Sequence, residues 1–161
     1  MNEEKLSGSV QKVKEYLDSK QIPCEFKTLS ESTRTAQMAA DVLGITPSEI
    51  ASSLIFCDEA DGDLVLIVAS GGHRVDLEKF HQATGRKLVK ASGKEIKNQT
   101  GFAIGGVPPI AHETALPTYL DNALKQFTKV WAAAGSPFAV FGITPDNLEK
   151  LTQGIWLDVG E

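Results

Sequence analysis

The chain has little of what hydrolytic, redox and metal centres are usually built from. In 161 residues it carries two cysteines, Cys24 and Cys57, and three histidines, His73, His81 and His112. The cysteines lie too far apart for a metal-binding pair. With no secretory signal to imply an oxidising compartment, they are expected as free thiols. No two histidines have the i, i+4 spacing of a helical zinc site. There is no Gly-x-Ser-x-Gly elbow for a serine nucleophile. No Gly-Lys-Ser/Thr follows a glycine cluster, which excludes a phosphate loop. No apolar run approaches the ~20 residues of a membrane span. The first residues, Met1-Asn2-Glu3-Glu4-Lys5, are polar and acidic and lack the apolar stretch of a signal peptide. The expectation is a cytoplasmic protein with no membrane contact, no metal and no cofactor.

Positive charge is also scarce, but unevenly so. The net charge is −5, which argues against indiscriminate coating of nucleic acid. Yet Arg74 to Lys97 holds seven basic residues and three acidic ones, giving +4 there and −9 elsewhere. Within it Lys87 and Lys90 alternate with Leu88 and Val89 in a short strand, and Lys94 and Lys97 are spaced to share a helix face. Such a face suits a specific polyanion, although a solvated surface is the commoner meaning of a charge cluster.

What is present reads as one mixed α/β domain spanning 1–161. Hydrophobic residues make up 42% and charged residues 23%, as in ordinary globular chains. The spacing of Val10, Val13 and Leu17 predicts an amphipathic helix over Ser9–Lys20. Cys24–Leu29 alternates as a strand. Thr35 can cap a helix that runs to Leu43 before Gly44, and Thr46-Pro47-Ser48-Glu49 has the form of a capping box. Ser53–Cys57 and Leu64–Ala69 form a hairpin of strands buried on both faces. A helix over Val75–Thr84, a strand at Arg86–Lys90 and a helix from Ser92 to about Asn98 follow. Leu116–Leu120 is a strand that Pro117 makes irregular or places at a sheet edge. Lys129–Ala132, Phe138–Ile143 and Ile155–Val159 are strands, and Thr144-Pro145 opens a last helix to about Leu151. Many short strands alternating with four or five helices indicate a single mixed domain.

Between the basic segment and the Pro117 strand lies Gly101-Phe102-Ala103-Ile104-Gly105-Gly106-Val107-Pro108-Pro109-Ile110-Ala111-His112. Glycine permits close backbone approach and positive φ, while proline fixes φ. The amides of Gly105, Gly106 and Val107 could converge as a nest for a carbonyl oxygen or oxyanion. A tight turn between strands is the simpler reading, and local chemistry alone favours it. His112 closes this loop. Ser52 and Ser53 stand at a strand start, where a hydroxyl can also line a pocket. No general acid or base emerges, so any enzyme here must lean on main-chain donors and on its substrate.

Three blocks resemble the YbaK/prolyl-tRNA synthetase-associated domain family, the bacterial aminoacyl-tRNA editing domains. They are Thr33–Gly44, Ile50–Phe56 and Thr100–Pro109, the last containing a Gly-x-x-x-Pro loop from Gly105 to Pro109. Their order and spacing extend the likeness over about 10–159. The resemblance implies a mixed, partly barrel-like β-sheet surrounded by helices. It implies hydrolysis of the ester that joins a wrong amino acid to tRNA, with loop amides holding the carbonyl and water attacking with help from the neighbouring ribose hydroxyl. It assigns catalysis to Gly105, Gly106, Val107 and Pro109. Substrate contacts are expected from Thr35, Ser52, Gly101, Pro108, His112 and Gly135, the last in a small-residue stretch suited to selecting a side chain by size. The family typically has a lysine at what is here Ser52. The partner implied is the acceptor end of a mischarged tRNA, met by Lys87, Lys90, Lys94 or Lys97, with no specificity for DNA and a possible synthetase partner. The leading expectation is a trans-editing deacylase. A catalytically weak tRNA- or nucleotide-binding module of the same fold, favoured by Ser52, and a small-molecule ester hydrolase are the alternatives.

Overall fold

Helix ends in this chain are set by local side chains. In the computed structural model, which describes residues 8–161, α1 spans Gly8–Lys20 and α2 spans Ala36–Leu43. The Met1–Lys5 stretch lies outside the described residues. The Thr35 hydroxyl accepts the Met38 N–H at 3.1 Å and so satisfies an otherwise orphaned donor of α2. Asp76, Ser92 and Thr144 do the same for α3 (Leu77–Thr84), α4 (Gly93–Thr100) and α5 (Pro145–Thr152). Thr46 closes the expected capping box with Glu49. Its own N–H and hydroxyl both donate to Glu49, at 2.9 and 3.0 Å, bracing a short 3-10 turn over Pro47–Glu49.

The strands form two sheets. β1 (Glu25–Thr28), β7 (Ala139–Ile143) and β6 (Val130–Ala133) make a three-stranded antiparallel sheet in that order. The second sheet runs β4 (Leu88–Lys90), β2 (Ala51–Asp58), β3 (Leu64–Ser70), β5 (Thr118–Asp121), β8 (Ile155–Leu157). A parallel bridge between Ile50 and Trp131 joins the sheets at one corner without closing a barrel. The main core lies between the sheets and α1, with Val13, Leu66, Phe102, Leu120 and Phe141 fully buried.

Two strands differ from expectation. Pro117 precedes β5, and its carbonyl accepts the Leu66 N–H at 2.9 Å. β5 is therefore an interior strand, paired in parallel with β3 and β8. β3 is buried along its whole length, as anticipated, but Ser52–Cys57 of β2 are only half-buried. The missing cover on β2 is the candidate site.

Candidate active site

β4 pairs with β2 only at Phe56–Asp58, so Ser52–Ile55 have no strand partner on that side. β6 approaches only as far as the Ile50–Trp131 bridge. The gap between β4 and β6 is a cavity of about 420 Å³. Ala39, Ile50, Ala51, Ile55, Trp131 and Val140 supply apolar wall, and Thr33, Thr35, Ser52 and Ser53 also line it. Among the described residues, no Asp, Glu, His or Cys lines it, and the only charged residues that do are Arg34 and Lys90. Among the described residues, the Ser53 hydroxyl oxygen is the one buried side-chain oxygen or nitrogen without a hydrogen-bond partner.

The glycine-proline loop closes one side of this cavity through Ile104, Gly105 and Val107. Its conformation is fixed from behind. Phe102 is fully buried, and its N–H donates to Thr100 Oγ1 at 3.0 Å. The Gly106 carbonyl accepts the Gly135 N–H at 3.0 Å, and the Pro108 carbonyl meets His112 Nε2 at 2.7 Å. Because a carbonyl only accepts, Nε2 carries the proton in this contact. Burial pushes His112 below its ordinary pKa of 6.5; the bond to Pro108 works the other way, and nearby Lys12 adds to the lowering. His112 is thus held neutral, as a brace.

The amide nest is narrower than the sequence suggests. Gly106 N–H donates back to the Ala103 carbonyl at 3.3 Å, closing a turn. The N–H groups of Gly105 and Val107 donate to no acceptor among the described residues. Gly105 adopts φ = 101°, which a side chain would oppose. The loop is thus a turn at Gly106, and two of its cavity-lining residues, Gly105 and Val107, have N–H groups without an acceptor among the described residues.

The remaining expected site residues divide by position. Thr35 and Ser52 line the cavity. Gly106, Pro108 and Pro109 are buried and do not form its wall. His112 and Gly135 lie behind the loop, the latter against Ser9 and Val13 of α1. Gly101 is the left-handed cap of α4 at φ = 84°, and its carbonyl accepts Lys97 Nζ at 3.1 Å. Of the four lysines, only Lys90 reaches the wall. Lys87 pairs with Glu59 at 3.5 Å, Lys97 is occupied at Gly101, and Lys94 is exposed on α4. Arg34 was not anticipated. It sits inside the first family-like block, but its approach to Gly105 comes from folding and leaves no mark in local spacing.

The aminoacyl-tRNA editing domain family model matches residues 30–151, a range that contains every residue lining the cavity. The chain belongs to this family. The editing domain is 39% identical over 138 residues to the uncharacterized protein YwhH of Bacillus subtilis (strain 168), covering 84% of each chain. It is 28% identical over 131 residues to EbsC of Enterococcus faecalis (strain ATCC 700802 / V583), named as a proposed Cys-tRNA(Pro)/Cys-tRNA(Cys) deacylase, covering 81% of this chain and 79% of that one. The crystal structure of a proposed trans-editing enzyme for prolyl tRNA synthetase superposes on it with a TM-score of 0.90 and 40% identity, over 98% of this chain and 99% of that chain. The mixed α/β architecture of the editing domain is that of this neighbour.

Proposed function

We propose that this editing domain acts in trans as an aminoacyl-tRNA deacylase, hydrolysing the ester of a mischarged tRNA. The observation that carries the reading is that Gly105 and Val107 line a largely apolar cavity and that their N–H groups donate to no acceptor among the described residues. Such donors stabilise the oxyanion that forms when water adds to an ester carbonyl. Water adds to the carbonyl carbon, the bond to the ribose oxygen breaks, and that oxygen leaves protonated as the tRNA hydroxyl. No wall residue is a conventional general base, so the neighbouring ribose hydroxyl assists the attacking water. The cavity takes the amino-acid side chain, with Ala39, Ala51 and Trp131 setting its size limit. Thr35 and Ser52 are the wall hydroxyls nearest in role to the expected substrate contacts, Ser52 standing where the family resemblance places a lysine. The names of EbsC and of the trans-editing neighbour support a tRNA substrate and a prolyl-tRNA synthetase as working partner.

A non-catalytic tRNA-binding module is the second reading, and the serine at position 52 is what favours it. Amino-acid release from a panel of mischarged tRNAs, set beside the matching simple amino-acid esters, separates the readings. Faster hydrolysis of the tRNA-linked ester supports the proposal. Binding without hydrolysis supports the module, and hydrolysis of simple esters alone supports a small-molecule esterase.

A further inference from the structure

The acids of this chain outnumber its bases by 21 to 16, yet among the described residues the cavity wall carries no carboxylate and two cations. One of them, Arg34, is exposed and makes no ion pair or hydrogen bond among the described residues. Its position is prepared by its neighbours. The Thr33 N–H and hydroxyl both donate to the Pro137 carbonyl at 2.7 Å, and Thr35 caps α2. The backbone around Arg34 is therefore held on both sides. Its side chain then lies along Gly105: a β-carbon built there would meet Arg34 Cγ and Nε at 3.2 Å. The guanidinium arm and the open amide of Gly105 share one edge of the cavity.

We propose that Arg34 binds a phosphodiester of the tRNA terminus and so sets the ester carbonyl over the Gly105 and Val107 amides. The inference rests on the deacylase reading and adds to it a phosphate site on the rim. The chemistry follows from the terminal nucleotide, whose single ribose carries both the aminoacyl ester and the phosphodiester. A cation beside the group that holds the carbonyl is within one sugar's reach of that phosphate. Guanidinium presents a planar fork that matches phosphate oxygens two at a time, which an ammonium does not. With no carboxylate on the wall, no side chain there competes for it.

The test uses Arg34→Gln and Arg34→Lys, each checked for an unchanged thermal transition. Two substrates are compared: the mischarged tRNA hydrolysed fastest by the parent, and the same amino acid esterified to adenosine, which has no phosphate. The ratio of kcat/KM on tRNA to kcat/KM on aminoacyl-adenosine should fall about ten- to a hundredfold in Arg34→Gln, as expected for one lost charge-assisted contact. Arg34→Lys should recover part of it. An unchanged ratio, whether from no loss or from equal loss on both substrates, overturns the proposal. A second arm does not need turnover: binding of a single-stranded oligonucleotide ending in CCA, measured against salt. Arg34→Gln should flatten the log–log slope by about 0.7, and equal slopes overturn the phosphate site. A parent that hydrolyses no mischarged tRNA would remove the deacylase reading, while the oligonucleotide arm still decides Arg34.

Discussion

Gly106 presses against Ser136 so closely that a β-carbon on the glycine would lie 2.5 Å from the Ser136 Cα. The adjacent Gly135 N–H holds the Gly106 carbonyl at 3.0 Å. The glycine is required because backbone abuts backbone at this point, and the contact sets the height of the loop over the cavity.

Gly106→Ala should therefore shift the loop. Overpacking of this kind costs about 1–3 kcal/mol, and misplacing the neighbouring donors should slow deacylation by ~10²–10³. Chemical denaturation together with single-turnover kinetics on the folded fraction measures both. A variant with parental stability and rate would show that the loop tolerates a side chain here and that the contact is not what positions Gly105 and Val107.

Ser53 yields an expectation of the opposite sign. Its hydroxyl oxygen is buried without a partner, and an unsatisfied buried polar group costs about 1–3 kcal/mol. Ser53→Ala removes that cost, so the variant should be at least as stable as the parent, by roughly 1 kcal/mol at most after the smaller side chain's lost packing. Urea unfolding of the two proteins decides; a clear loss of stability would mean that the hydroxyl is engaged in the native protein.

His112 contributes a pH dependence. Burial, opposed by its bond to Pro108 and reinforced by Lys12, holds its pKa below the ordinary 6.5. In the window below about 6.5 the unfolded chain binds a proton that the folded chain resists, so the stability contributed by neutral His112 is present above that window and falls away as the pH drops through it. Unfolding free energies at pH 7.5 and 5.5 should differ more for the parent than for His112→Gln. Identical pH dependence in both would remove His112 as the source.

The lysines separate in the same direct way. Lys90 lies on the cavity wall without an ion pair among the described residues, whereas Lys87 is matched with Glu59. Lys90→Ala should flatten the salt dependence of tRNA binding by about 0.7–0.9 in log–log slope, and Lys87→Ala by much less. Equal slopes for the parent and Lys90→Ala would place the tRNA backbone elsewhere.

Much of the fold was legible because its signals are local. Thr35, Ser92 and Thr144 mark helix starts by satisfying an amide three residues on, and Gly44 and Gly85 mark ends by their left-handed backbone. Positions that depend on distant partners were not legible. Nothing near Pro117 reveals that Thr118–Asp121 is flanked in parallel by two strands. Gly101 and Gly105 offer the same local chemistry, yet one caps a helix and the other lines the cavity. Gly135 and His112 were expected at the substrate and lie behind the loop instead, because the turn between β6 and β7 and the segment after Ile110 pack on its far side. Arg34 meets Gly105 only after β1, α2 and the loop have docked.

On the proposed reading, the cavity and its loop amides hydrolyse the ester of a mischarged tRNA. Single-turnover deacylation, with folded protein in excess over each member of a panel of mischarged tRNAs, tests it most directly. At least one aminoacyl-tRNA should lose its amino acid well above the blank rate, and Gly106→Ala should slow that release. No acceleration over the blank for any member of the panel would contradict that reading.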